Sequence, residues 1–99
     1  ARPARYMIEA FDTTARAAEL AAALHPQDGT ARPQTVNSWN PGYRAALESF
    51  QTETGVGGVL NTSFNLHGFP IVGTPDVALD TFQNSALDAL ALGNYLIQK

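Results

Sequence analysis

Two loops carry most of the side chains that could do chemistry. The first, residues 25–36, reads HPQDGTARPQTV and contains a histidine, an aspartate and an arginine. The second, residues 61–68, reads NTSFNLHG and offers amide and hydroxyl groups. Each loop lies between two predicted regular elements, and ligands of α/β proteins bind in loops at strand ends because the sheet positions them. Both loops are therefore candidate binding loops.

Arg32 is the strongest candidate for a ligand-binding residue in the first loop. Its guanidinium presents a planar fork of donors that matches phosphate or carboxylate oxygens. After Val36 the only cations are Arg44 and Lys99, so Arg32 is not one member of a solvated basic cluster. The structural alternative is an ion pair with Asp28 that only holds the loop together.

The second loop could bind phosphate or a nucleotide without a lysine, through side-chain and backbone donors. Alternatively, its Asn and Ser side chains bond to the backbone of the turn and only stabilise it. The loop is not a P-loop, because it lacks the Gly-Lys-Ser/Thr ending.

Two further kinds of site are weakly indicated. His25 and His67 with Asp28 have the chemistry of a zinc or iron site, but no HxxxH or HExxH motif is present. Ser63 with a histidine and Asp28 could form a hydrolase triad, but the Gly-x-Ser-x-Gly elbow is missing. We predict neither a metal ligand nor a serine nucleophile.

The elements that must position these loops alternate between strand and helix. Extended apolar segments predict strands over residues 5–12, 34–37, 56–61, 88–92 and 95–98. Helices are predicted from 13 to 24, from 41 to Gly55, and from 75 onwards. The order β-α-β-α-β-α-β-β predicts an α/β layered fold with a mixed sheet and about three helices.

Local signals fix the helix ends. Thr13 or Thr14, Asn40-Pro41 and Thr74-Pro75 are predicted N-termini, and Gly55 is a predicted C-cap. Apolar side chains at 43, 46, 47 and 50 form a stripe on the second helix, and those at 78, 82 and 86 share a face of the third. Trp39 and Tyr43 are predicted to pack in the core or at its rim. Gly93-Asn94 predicts the turn of a hairpin.

Length and composition indicate one ordered domain. The chain has 99 residues and a mass of 10.6 kDa, which is the size of a single domain. Its residues are 44% hydrophobic and 15% charged, with a net charge of -3, which is not the composition of a disordered chain. The acidic balance argues against nucleic-acid binding. No apolar run is long enough to span a membrane, no signal peptide is visible, and there is no cysteine. The first residue is not Met, so we expect a fragment of a longer cytoplasmic protein.

Both loops resemble the signatures of the carbamoyltransferase family, which includes antibiotic O-carbamoyltransferases and nodulation carbamoyltransferases. Residues 25–36 resemble its segment HxxDGTxRxQxV, and NTSFNLHGFPIV over 61–72 resembles NTSFN followed by GxPIV. TPDVA at 74–78 and SALDALALG at 85–93 fit the same pattern. The resemblance covers about residues 3–98.

The resemblance implies the carboxyl-terminal part of a YrdC-like domain, similar also to threonylcarbamoyl-adenylate synthases. Such a domain would join ATP, with magnesium, and carbamoyl phosphate into carbamoyl-adenylate. An amino-terminal Kae1-like domain of the same parent chain, carrying iron, would pass the carbamoyl group to an acceptor hydroxyl. That domain and the first half of the YrdC-like domain lie outside this sequence, so the fragment is expected to be inactive alone.

The resemblance also carries roles to individual residues. Arg32 would bind a phosphate or carbamoyl oxygen and take part in catalysis. Contacts to ATP or carbamoyl-adenylate would come from Ser63 and Asn65, and the pocket would be lined or braced by Asn61, Thr62, His25 and Asp28. The sequence departs from the family at Pro26, where an apolar β-former is more common, and at Phe69, where glutamate is common. Phe69 is expected to affect contacts on the acceptor side or between domains.

Two alternatives stay open at this point. One is a threonylcarbamoyl-adenylate synthase relative that uses bicarbonate and threonine, against which the DGTxRxQ segment argues. The other is a non-catalytic module that folds and binds a partner domain. The acceptor is open too: an antibiotic, a sugar or a chitin oligosaccharide would all fit.

Overall fold

A computed structural model describes residues 4–99, which form two compact units, one ending at Asn61 and one running from Thr62 to Lys99. The elements in chain order are a 3₁₀ helix Ala17–Ala23, α1 Pro41–Thr54, α2 Pro75–Gln83, β1 Ala89–Leu92 and β2 Tyr95–Gln98. This confirms the α/β class with three helices. The sheet has two antiparallel strands rather than the predicted mixed set.

The helix α1 of the first unit begins and ends where its sequence predicts. Pro41 occupies the first turn, where a missing N–H costs nothing. Gly55 adopts the left-handed conformation (φ 78°), and its N–H donates to the Gln51 carbonyl at 2.8 Å. Asn40 precedes the helix but its side chain makes no capping bond. Of the predicted apolar stripe only Leu47 is half-buried, and the side chains at 43, 46 and 50 are exposed.

The first predicted helix is shorter than expected. Its helical turns cover Ala17–Ala23 only, and Leu20 (φ -126°, ψ 31°) interrupts them. The Thr13 hydroxyl donates to the Gly29 carbonyl at 3.0 Å, and Arg16, directly before the first turn, makes no side-chain capping bond. Of the two predicted capping threonines, Thr14 contributes to the start: its hydroxyl accepts from the Arg16 N–H at 3.3 Å and its carbonyl from the Ala17 N–H at 3.0 Å.

The predicted strands over 5–12, 34–37 and 56–61 were wrong. The only β-bridge in these segments within residues 4–99 is an isolated one, in which Phe11 and Ala31 exchange N–H···O bonds of 2.8 and 3.0 Å. One further long-range backbone bond runs from the Thr35 N–H to the Ala4 carbonyl at 2.6 Å. A strand needs a row of such bonds to a neighbour, and Tyr6 and Ile8 are exposed instead of packed on two sides. The order β-α-β-α-β-α-β-β is therefore not confirmed.

The second unit begins with a well-capped helix. The Thr74 hydroxyl accepts a bond from the Val77 N–H at 3.4 Å, Pro75 follows at the first position, and Asp76 complements the positive end of α2. The helix buries Ala78 and Phe82 as predicted. Ala86, predicted on the same face, is exposed, because the helix ends at Gln83.

The predicted hairpin is confirmed and completes the core of this unit. Its strands pair Ala89 with Gln98 and Leu92 with Tyr95 across the turn at Gly93, whose φ is 59°. Leu90 is buried with the helix residues. Half-buried side chains around this core are Phe64, Val72, Leu92 and Ile97. No helix within residues 4–99 has the length and apolar character needed to cross a membrane.

Candidate functional site

The first loop closes into a turn held by its own backbone and by Asp28. The His25 N–H donates to the Thr30 carbonyl at 2.8 Å, and the Gly29 N–H donates to the His25 carbonyl at 2.9 Å. Gly29 has a φ of 69°, a left-handed backbone conformation that is unfavourable for a residue with a side chain. Asp28 Oδ1 accepts from both the N–H and the hydroxyl of Thr30, at 2.9 and 2.8 Å. The sequence therefore forms this turn through local hydrogen bonds.

The electrostatics of this turn favour the ionised carboxylate. Hydrogen bonds from the Thr30 N–H and hydroxyl, and with a smaller effect the neighbouring His25, lower the pKa of Asp28 below its ordinary value. His25 Nδ1 lies 3.3 Å from Asp28 Oδ1. Asp28 thus holds the turn together through Thr30, and His25 lies beside its carboxylate.

Arg32 is not paired with Asp28. Its exposed guanidinium forms no hydrogen bond or ion pair with any residue in the part of the chain that the structure describes. The alternative in which Arg32 only holds the loop together is therefore contradicted. An unpaired guanidinium leaves its full fork of donors available to an anion.

The first unit contains a cavity of about 970 Å³, within the size range of ligand pockets. Its wall brings together four residues predicted for the site, namely His25, Asp28, Arg32 and Asn61. The other polar side chains on the wall are Thr30, Gln34, Thr35, Arg44, Glu48 and Gln51. Apolar parts come from side chains such as Met7, Leu20 and Leu47. The cavity therefore combines two arginines, two carboxylates and several neutral donors with an apolar lining.

Asn61 lies at the cavity wall, where its amide Nδ2 is 3.5 Å from the Met7 sulfur. Thioether sulfur is a weak acceptor, so this bond leaves the amide able to exchange partners. Tyr43 also lines the cavity and is 40% exposed.

The remaining predicted site residues, Thr62, Ser63 and Asn65, belong to the second unit. Asn65 stabilises its own loop, because its amide donates to the carbonyls of Leu66 and Phe69 at 3.1 and 3.0 Å. The alternative in which the side chains of this loop stabilise their own turn is thus correct for the amide nitrogen of Asn65. Ser63 is exposed.

A second, smaller cavity of about 260 Å³ lies in the first unit beside Trp39. The Arg5 guanidinium carbon stands 5.2 Å from the centre of the Trp39 ring. Trp39 is 81% exposed, so the prediction that it packs in the core or at its rim was wrong. Within residues 4–99 no three His, Asp or Glu side chains form a group able to hold a metal ion.

The sequence did not indicate that Arg44 and Glu48 line the cavity. Their i,i+4 spacing is typical of a solvated helix face, and such a pair carries no signal of its own. The scarcity of cations after Val36 could have pointed to Arg44.

The comparison with known proteins covers the whole chain. Residues 1–99 match the protein family described as carbamoyltransferase C-terminus. Nodulation protein NolNO of Sinorhizobium fredii is 44% identical over 81 residues, which are 81% of this chain and 12% of that protein. Nodulation protein NolO of Bradyrhizobium diazoefficiens is 41% identical over 78 residues, 78% of this chain and 14% of that protein.

An archaeal protein is similar to the same degree. An uncharacterised protein of Methanocaldococcus jannaschii is 46% identical over 82 residues, 82% of this chain and 13% of that protein. The chain spans about an eighth of the length of these relatives. The resemblance seen in the two loop motifs is confirmed, and this chain belongs to the carbamoyltransferase C-terminus family.

Proposed function

We propose that this chain is the carboxyl-terminal part of an O-carbamoyltransferase, and that its first unit supplies part of the site that forms carbamoyl-adenylate from ATP and carbamoyl phosphate. The observation that carries the proposal is the unpaired Arg32 guanidinium on the wall of the large cavity. Both substrates are phosphate anions, and an arginine without a protein partner can bind their oxygens in a bidentate manner. Family membership supports the carbamoyl chemistry.

The turn beside Arg32 supports the same assignment. Because Asp28 is bonded to Thr30 and next to His25, its negative charge is engaged within the turn. The cation can then face the anion without first breaking an ion pair. Apolar residues on the wall would lower the local dielectric and strengthen that contact.

The proposed reaction balances with one water. Water releases phosphate from carbamoyl phosphate and leaves carbamate. A carbamate oxygen then attacks the α-phosphorus of ATP, the bond to the β-phosphate oxygen breaks, and pyrophosphate leaves. In the second step an acceptor hydroxyl oxygen attacks the carbamoyl carbon and loses its proton, and AMP departs. Arg32 would offset negative charge on the phosphoryl oxygens in the first step.

The second loop is proposed, from the family resemblance, to contact ATP or carbamoyl-adenylate. Ser63 and Thr62 offer hydroxyl donors to phosphate oxygens, and Asn61 offers its amide. The loop bonds of Asn65 use its amide nitrogen, so its carbonyl oxygen remains for the amino group of a carbamoyl unit.

The rest of the enzyme is proposed from the family. A Kae1-like domain would carry iron and hold the acceptor, and the full YrdC-like architecture would include chain beyond these residues. The described residues do not fit an iron site, since no three suitable side chains come together. Magnesium would arrive with the phosphates of ATP.

The test uses the complete enzyme that contains this chain. ATP and carbamoyl phosphate are supplied without acceptor, and pyrophosphate release is followed. Release that requires carbamoyl phosphate is the expected result. Release that requires bicarbonate and threonine instead would favour a threonylcarbamoyl-adenylate synthase. No release under either condition would overturn the adenylate reaction and favour a non-catalytic module.

A further inference from the structure

Arg44 lies on the wall of the same cavity as Arg32 but comes from a different element. Arg32 belongs to the loop after Gly29, whereas Arg44 lies in the first turns of α1. They are the two arginines among the described residues that line this cavity. A long anion could therefore meet a cation at two places on the wall.

The geometry of Arg44 leaves most of its donors unused. Its Nε donates to Glu48 Oε1 at 2.7 Å, and its side chain is 50% exposed. Neither terminal nitrogen bonds to any of residues 4–99. Since guanidinium has five N–H donors, this single contact with Glu48 orients the side chain while four donors remain for a ligand.

Arg16 shows what a purely structural arginine looks like in the same unit. Its Nε and Nη2 both donate to Glu19, at 2.6 and 2.7 Å, so its fork is closed on the carboxylate. Arg16 lines neither cavity. Arg44 therefore differs from Arg16: it uses one N–H donor on its carboxylate partner, whereas Arg16 uses two.

We propose that Arg44 is a second anion-binding residue of the cavity, and that Arg32 and Arg44 bind different phosphate groups of one polyphosphate chain. The ligand class is thus a triphosphate, as in ATP, rather than a single phosphate. This inference rests on the proposed function and assigns the polyphosphate end of its nucleotide to the first unit. The carboxylate of Glu48, on the same wall, opposes binding by attracting Arg44 and repelling the phosphates.

The test measures the affinity of this chain for inorganic tripolyphosphate and for inorganic phosphate by calorimetry. Arg44→Ala should weaken tripolyphosphate binding about tenfold, near the lower end expected for a charge-assisted hydrogen bond. It should change phosphate binding much less, because one phosphate needs only Arg32. Arg16→Ala is the matched control and should change neither affinity. Circular dichroism of each variant reports whether α1 is intact.

A second variant is expected to change the affinity for tripolyphosphate in the opposite direction. Glu48→Gln removes the competing carboxylate and should tighten tripolyphosphate binding several-fold, whereas Glu19→Gln should leave it unchanged. Rising salt should reduce the effect, because these groups are exposed.

Several results would overturn the inference. One is an Arg44→Ala chain that binds tripolyphosphate as tightly as the Arg16→Ala chain. Another is an equal loss for phosphate and tripolyphosphate, and a third is no binding of tripolyphosphate to the unmodified chain. The proposed function fails separately, through the pyrophosphate assay. If that assay succeeds and Arg44→Ala has no effect, only the role of Arg44 is wrong.

Discussion

Asp28 Oδ1 accepts two hydrogen bonds from Thr30, one from its backbone N–H at 2.9 Å and one from its hydroxyl at 2.8 Å. Asp28 is bonded within its own turn, whereas Arg32, four residues on, has no hydrogen-bond or ion-pair partner within residues 4–99 and lines the cavity as an available cation. The turn at Asp28 and the candidate anion site at Arg32 therefore belong to the same loop and the same cavity wall.

The same bonds make the turn sensitive to acid. The pKa of Asp28 is lowered from 3.8, chiefly by the Thr30 bonds. A lowered pKa in the folded state means that the stabilisation is present above the unfolded value and is lost as the pH falls through the folded value. NMR titration of the Asp28 carboxyl carbon should report a value below 3.8. Thr30→Val should raise it, and a value at or above 3.8 in the unmodified chain would contradict the arrangement.

The two α-helices have different N-terminal caps, and this difference predicts different stability effects. Thr74→Ala removes a side-chain capping bond and should lower the stability of α2 by about 1 kcal/mol. Asn40→Ala is the matched change on α1 and should cost much less, because the Asn40 side chain makes no such bond. Amide hydrogen exchange in each helix measures both effects. Equal losses in the two helices would contradict the assignment of the caps.

The end of α1 depends on a glycine. Gly55 has a φ of 78°, where an L side chain is strained. Gly55→Ala should therefore destabilise the helix end by about 1 kcal/mol, although nothing in space obstructs the new methyl group. Gly42, which has a negative φ and open space within α1, is the control, and Gly42→Ala should be neutral or stabilising. Thermal unfolding followed by circular dichroism distinguishes the two variants, and a Gly55→Ala chain as stable as the unmodified one would sink this account.

The core of the second unit depends on one aromatic ring. Phe82 is 3% exposed and is in contact with the Lys99 ammonium, 4.8 Å from the ring centre. Phe82→Ala should cost about 3 kcal/mol and raise hydrogen exchange in α2 and the hairpin together. Phe69→Ala is the control, because Phe69 is 66% exposed and its loss should cost less than about 0.5 kcal/mol. If both changes had the same effect, the packing described for this unit would be wrong.

What the sequence could predict in this fold was local. The starts of α1 and α2, the Gly55 cap and the turn at Gly93 each follow from residues within one turn of the chain. The strand predicted at 5–12 failed because a strand needs a partner far away in sequence, and only Phe11 finds one among the described residues. Alternating apolar residues cannot reveal whether that partner is present.

The site follows the same rule. His25, Asp28 and Arg32 come together because a single turn joins them, and their order in the sequence sufficed to predict that. Arg44 reaches the cavity only through the placement of α1, and its spacing from Glu48 resembles that of any exposed ion pair. Trp39 was expected to pack, but the sequence around it could not indicate what would cover its ring.

The central claim, that Arg32 binds a substrate phosphate, is tested most directly by one substitution in the complete enzyme. Pyrophosphate release from ATP and carbamoyl phosphate, without acceptor, is compared for the unmodified enzyme, Arg32→Ala and Arg16→Ala. Loss of a charge-assisted phosphate contact should reduce the rate roughly 10- to 100-fold in Arg32→Ala. Arg16→Ala should leave it unchanged, since that arginine is closed on Glu19. An Arg32→Ala enzyme that releases pyrophosphate at the unmodified rate would contradict the account.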